Sequence, residues 1–217
     1  VSSHPSNGSD VCVDGSPSAM SVSASGGTSN YSYQWYSNGS NSNSGGSSIG
    51  SATSSSYTPS LSSAATTYYY VVITDANTCT VTSNTASQII DADPSISSQP
   101  SSGSDACVGG SPSTMSVSAT GGSGSYAYQW YSNGSNSNSG GSSIGSATSN
   151  SYTPPSSSAA TTYYYCTVSD AQSGCGSATT NTASQTVDAD PTISSQPSNG
   201  SAVCIGATPS TMSVSAT

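Results

Sequence analysis

Lysine, arginine, glutamate and phenylalanine are all missing from this chain of 217 residues, leucine occurs once and histidine once. Its nine acidic residues are therefore all aspartate, and the formal charge is −9. These absences exclude whole classes of function. Nucleic-acid binding neutralises phosphates with lysine and arginine, and adhesion to anionic lipid needs the same cations, so neither partner is expected. A lysine nucleophile, a Lys–Asn cross-link, a Ser-His-Asp triad and a multi-histidine zinc site all need residues that are not there. Paired aspartates serve glycoside hydrolysis, but no unrepeated acidic pair stands out. The chain is read as non-enzymatic. No apolar run approaches the ~18 to 20 residues of a membrane-spanning helix, and an export signal, if there is one, is expected outside this stretch.

What is present is repetition. Cys12, Met20, Trp35 and Tyr68 recur as Cys107, Met115, Trp130 and Tyr163, each 95 residues later (107 − 12), and a third series begins with Cys204 and Met212. The segment from Gln34 to Ser54 returns unchanged from Gln129 to Ser149. It includes surface-type residues that core packing alone would not fix, which points to recent duplication. Self-similarity on this scale marks an array of like domains. The copies are bounded at 1–93, 94–190 and 191–217, the last holding first strands only. Val1 aligns with Ile96 inside a copy, so the chain is read as a window from a longer fibre. His4 aligns with Gln99 and Gln196 and is read as an ordinary surface residue.

Serine, threonine and glycine dominate, yet 14 tyrosines, two tryptophans and short alternating runs argue for folded strands and against disorder. In the second copy strands are expected at 95–99, 105–108, 114–120, 126–132, 151–153, 161–169 and 178–187, separated by turn residues, with no helix signal. Met115, Val117 and Ala119 alternate onto one face, and Tyr126, Tyr128 and Trp130 onto another. Those faces are expected to meet. The Gly121-Gly122-Ser123-Gly124 stretch joins two strands without the helix or lysine of a phosphate loop and is read as a turn.

Trp130 on the third strand and Tyr163-Tyr164-Tyr165-Cys166 on the sixth resemble the immunoglobulin-like superfamily. The resemblance implies an all-β fold of tandem immunoglobulin-like β-sandwich repeats, the last one incomplete. It also implies a core around Trp35 and Trp130, with Tyr69 and Tyr164 as tyrosine corners. The usual core disulfide has no counterpart, since the second-strand position is Val22 or Val117 and the sixth-strand position Val71 or Cys166. Bridges Cys12–Cys79 and Cys107–Cys175 are expected instead, because both copies possess these cysteines. Each closes a loop of nearly 70 residues, which chain entropy values at roughly 4 kcal/mol. Bridges between copies or between chains are the alternative. Cys166 is expected as a buried free thiol, and the six cysteines indicate an oxidising, extracellular setting.

The stretches VCVDGSPSAMSVSASGG, YSYQWYSNGSNSNSGG, ATSSSYTP and TTYYYVVITDANTC are similar to the Ser/Thr/Gly-rich repeats of large Bacteroidota surface proteins, including gliding-motility adhesins and other type IX-secreted fibres. That resemblance implies export, a long filament at the cell surface and no catalytic residue.

Three features remain as candidate sites. Asp91-Ala-Asp93-Pro94 and Asp188-Ala-Asp190-Pro191 lie at the copy junctions, where calcium held by Asp91, Asp93, Asp188 and Asp190 with Asp170, or with Asp75 from the equivalent turn, is weighed against a solvated, proline-stiffened linker. Tyr36 and Tyr131, with Tyr68 and Tyr163, are expected to face outward, either toward a sugar or another chain or in cross-strand pairs that steady the sheet. Asn7, Asn30, Asn38, Asn133 and Asn199 begin N-x-S/T triplets, read as chance in a serine-rich chain. The leading reading is a stalk or filament module whose partners are neighbouring repeats or like chains. The alternatives are a polysaccharide-binding module and a filament subunit completed by strands of a neighbouring chain.

Overall fold

The computed structural model describes residues 1–60 and 62–217. Among them are 20 strands and no helix. Two sandwiches follow one another, each built from short strands whose side chains alternate between core and solvent.

In the second repeat the larger sheet runs Ala106–Cys107, Ala183–Asp188, Ala160–Asp170, Tyr126–Asn133, Ser142–Ser143, with Ser177–Thr179 also on Ala160–Asp170. The opposing layer pairs Met115–Ser116 with Ser151–Tyr152, and Ser118–Thr120 with Ser95–Ser98. The first repeat has the same larger sheet in the order Val11–Cys12, Ala86–Asp91, Ala65–Thr74, Ser32–Asn38, Ser47–Ser48. One pairing sets where the first cysteine of each repeat lies. The two-residue strand Val11–Cys12 runs parallel to the end of the last strand, Val11 opposite Ile90 and Cys12 opposite Asp91, and Ala106–Cys107 repeats this against Val187 and Asp188.

The layers meet where the alternation predicts. Met115, Val117, Trp130, Tyr164, Cys166, Val168 and Ala183 form one buried cluster with Ala119, Tyr126 and Tyr128 against it, and Met20, Val22, Trp35, Tyr69, Val71, Ile73 and Ala86 form its twin. Both tryptophans are wholly buried, each indole N–H donating to a backbone carbonyl, Trp35 to Ser54 at 2.9 Å and Trp130 to Ser149 at 2.9 Å. Tyr69 and Tyr164 are buried beside them and pack on Tyr57 and Tyr152, ring centroids 5.5 Å apart. The backbone-anchored hydroxyls on this strand are instead those of Tyr70 and Tyr165, which accept from Gly46 N–H and Gly141 N–H at 3.1 Å.

Two expected strands are split and one was missed. Residues 114–120 divide because the two halves pair with different neighbours. Residues 178–187 divide because Thr180 turns inward, its hydroxyl accepting from Cys166 N–H at 2.9 Å; Ser83 does the same for Val71 at 3.0 Å. Ser142–Ser143 carries no apolar alternation and so gave no signal.

Candidate functional site at the repeat junction

The chemistry-bearing residues converge where the first repeat hands over to the second. Cys12 is bonded to Cys175, 163 residues further along, with Cα atoms 4.8 Å apart. This corrects the expected pairing: Cys12–Cys79 and Cys107–Cys175 are not formed, and Cys79 and Cys107 are exposed free thiols. The reason is topological. Cys12 sits beside Asp91 at the far end of the last strand, Ala86–Asp91, whereas Cys79 immediately precedes the strand before it, Thr80–Thr82, at the opposite end of Ala65–Thr74. At ~3.3 Å per residue the intervening chain holds the two cysteines on the order of 35 Å apart, and a disulfide requires Cα atoms within about 7 Å. Parallel pairing of the Cys12 strand carries the signal, but only once its neighbour is known.

Backbone contacts surround the bridge. Cys12 N–H donates to Ser173 O at 2.8 Å, Val13 N–H to Asp91 O at 3.0 Å and Gly122 N–H to Ala92 O at 2.6 Å. Gly174 lies directly on Gly15, so close that a Cβ on Gly174 would overlap it. Gly121 takes a left-handed backbone (φ 88°), and a side chain there would run into the carbonyls of Ala92 and Asp93. Pro94 is buried at the handover.

The aspartates serve this junction as hydrogen-bond acceptors. Asp91 accepts from the Gln172 amide at 2.7 Å and Asp93 from Gly176 N–H at 3.2 Å. Asp170 ties its own turn to the preceding loop, accepting from Gln172 N–H at 2.8 Å and from the N–H and hydroxyl of Ser123, both at 2.9 Å. Burial alone would raise the Asp170 carboxyl, but the donors Gln172, Ser123 and Gly124 outweigh it and hold it below the usual carboxylate range. Asp75 is the counterpart in the first repeat, its carboxyl lowered by bonds from Thr28 N–H, Cys79 N–H and Asn77 N–H. Asp188 and Asp190 are exposed. Among the described residues no group of three or more His, Cys, Asp or Glu is placed to hold a metal ion.

Tyr36 and Tyr131 are half-buried and stack across the sheet on Tyr70 and Tyr165, centroids 5.1 and 5.0 Å apart and rings within 4° and 6° of parallel. Tyr68 and Tyr163 are likewise half-buried. Cys166 is a buried thiol pushed up to about 11 by burial. His4 uses Nδ1 to accept from Asn84 N–H at 3.0 Å, and Gln99 Oε1 accepts from Asn181 N–H at 2.8 Å. The lone histidine thus takes the structural place of its glutamine counterpart. The identical Ser/Asn segment is also structurally occupied: Asn38 and Asn133 donate to carbonyls across their hairpins, and Asn43 and Asn138 reach Ser83 O and Thr180 O. Sequence alone showed these as surface residues because hydrogen bonds to backbone carbonyls leave no apolar period.

Two wholly β units, each a two-layer sandwich with a short parallel strand beside the last, define a tandem immunoglobulin-like protein. The chain belongs to the family described as "Domain of unknown function (DUF8696)", whose model matches residues 1–92 and again 97–189. No curated protein matches the sequence. Among solved structures, an E-to-A variant of the three titin immunoglobulin domains I67–I69 aligns with 89% of this chain and 67% of its own at 13% identity, with a TM-score of 0.56. Sidekick-1 immunoglobulin domains 1–4 align with 90% of this chain and 54% of theirs at 15% identity (TM-score 0.37). Extracellular domains 3–5 of Drosophila OTK align with 91% and 67% at 14% identity (TM-score 0.32). The chain thus spans only part of the length of these structures. Among the described residues no helix is long and apolar enough to cross a membrane.

Proposed function

We propose that this chain is a structural repeat of an extracellular filament or adhesin stalk, working by mechanical reach and not by catalysis. One observation supports the reading above the others: the Cys12–Cys175 bridge closes a loop that contains most of both sandwiches. When such a chain is pulled from its ends, the strands outside the bridge come away from the sheet first; from then on force passes from Cys12 straight to Cys175, and the residues between them bear none of it. A disulfide also belongs to an oxidising compartment, in keeping with export. The surface setting, with the gliding and type IX route that the Bacteroidota resemblance implies, is part of this proposal. In that setting the partners are neighbouring repeats or like chains.

The experiment is single-molecule pulling from the two termini. Oxidised chain is expected to release only the segments outside the bridge. Reduced chain is expected to add unfolding steps worth about 570 Å in all, at ~3.5 Å for each of the 163 residues enclosed. Equal extension with and without reductant would count against a force-carrying stalk.

A further inference from the structure

The two repeats differ in what covers their ends. Cys12 is wholly buried by the second repeat, whereas Cys107, on the same strand in the same register, is exposed. At the other end Cys175 is bonded, whereas Cys79, at the equivalent turn of the first repeat, is exposed and free. The receiving loop exists there too. Gly26 and Gly27 adopt φ 81° and 65°, as Gly121 and Gly122 adopt 88° and 60°. In front of Gly121 stand the linker carbonyls, and in front of Gly26 there is nothing. A cavity of about 270 Å³ opens at this place, lined by Val1, Ala24, Tyr31, Ile73, Cys79 and Val81 among others. Val81 is 44% exposed there, while its counterpart Ala178 is half-buried. The turn departs in two places: it is a residue shorter before Cys79, with Thr78 (φ 64°) in the left-handed position that Gly174 (φ 81°) holds in the second repeat, and Thr80 alone separates Cys79 from Val81 where Gly176 and Ser177 separate Cys175 from Ala178. The Thr78 side chain sets the Gly15 counterpart of a preceding copy further from this turn than Gly15 lies from Gly174.

We propose that Cys79 and Cys107 are the two open halves of the staple that Cys12 and Cys175 complete, and that the occupant of each end is another copy of this repeat. Cys107 takes the turn cysteine of a following copy, and Cys79 takes the Cys12-type cysteine of a preceding one, whose Asp-Ala-Asp linker fills the Gly26–Gly27 cavity. This goes beyond the stalk reading by assigning the chemistry of every joint. Successive loops then interlace, since the loop beginning at Cys107 starts inside the one that ends at Cys175.

Each bond forms by thiol–disulfide exchange with a small disulfide such as oxidised glutathione. One protein thiolate attacks it and releases one glutathione thiolate; the second protein thiolate attacks the mixed disulfide and releases the other. Two protein thiols lose two protons and two electrons, and one glutathione disulfide becomes two thiols.

Two extended chains test this. Residues 94–190 inserted again after Asp190 give Cys107 a following copy; Pro94-Ser95 and residues 1–93 inserted again after Asp93 give Cys79 a preceding one. Each is oxidised in a glutathione buffer, labelled with maleimide and mapped without reduction, alongside the original chain. In the original chain Cys79 and Cys107 are expected to label fully. In the first extended chain Cys107 is expected to lose its label and appear bonded to the inserted counterpart of Cys175. In the second, Cys79 of the inserted copy is expected to appear bonded to Cys12 of the copy before it. The bridge between the last Cys12 and the Cys175 that follows it reports that the chain has folded. Continued labelling of either cysteine beside that intact bridge, or a Cys79–Cys107 bond, overturns the proposal. These results read bond partners alone, so they stand apart from the pulling experiment that tests the stalk.

Discussion

Cys12 and Cys107 occupy one position in two copies of one fold, yet the first is buried and bonded and the second lies bare. Their neighbours within the repeat are nearly the same, so the difference belongs to the junction. Bonding in this chain is a property of adjacent copies, whereas each copy has its own tryptophan-centred core.

Serine substitution separates the two cysteines most sharply. Cys12→Ser is expected to remove a loop closure that chain entropy values at about 5 kcal/mol when both sandwiches unfold together. Cys107→Ser is expected to stay within about 0.5 kcal/mol, as exposed substitutions usually do. Urea denaturation of the two variants measures the contrast, and equal losses would break it. The cores should respond alike instead: Trp35→Ala and Trp130→Ala are each expected to cost about 3 to 5 kcal/mol in their own repeat, followed by amide hydrogen exchange in that repeat, with the remaining tryptophan reporting that the other repeat is undisturbed.

A smaller contrast lies at Val71 and Cys166, equivalent residues that are both wholly buried. Cys166→Val is expected to change stability by less than about 1.5 kcal/mol. A thiol reagent at pH 8 is expected to leave native Cys166 unmodified, because burial pushes that thiol up to about 11, while labelling Cys79 and Cys107.

The smallest effect comes from Asp75 and Asp170, whose carboxyls titrate lower in the folded chain than in the unfolded one. A group of that kind stabilises fully above its unfolded value of about 3.9 and loses the contribution as pH falls through its folded value. Asp170→Asn should therefore lower the melting temperature slightly at neutral pH, where the carboxylate contributes fully, and flatten its further loss below pH 4. An unchanged acid limb would show that the clamp on Ser123 contributes nothing to stability.

The sandwich was legible because it depends on alternation and on large residues. Met115, Val117 and Trp130 mark their faces without help, and the 95-residue register fixes what a repeat is. The junction was not legible in the same way. Shared possession of Cys12 and Cys79 pointed to a bridge within each copy, yet parallel pairing with Ile90 and Asp91 carries Cys12 to the opposite end of the last strand. The junction aspartates fitted a calcium set or a solvated linker equally well by spacing, and spacing did not show that Asp91 accepts from Gln172, Asp93 from Gly176 and Asp170 from Ser123. Tyr36 and Tyr131 read as sheet partners ahead of contact residues, and the stacked rings of Tyr70 and Tyr165 lie against them. In each case the neighbour is distant in sequence, and the periodicity of a single strand is blind to it.

Disulfide mapping of the oxidised chain tests the bridge between repeats most directly. Trypsin has no site here, but cleavage before aspartate places Cys12, Cys79 and Cys175 in three separate peptides. The Cys12 and Cys175 peptides are expected to travel together until reduced, with the Cys79 peptide alone. A Cys12 peptide joined to the Cys79 peptide would contradict the bridge and the junction built on it.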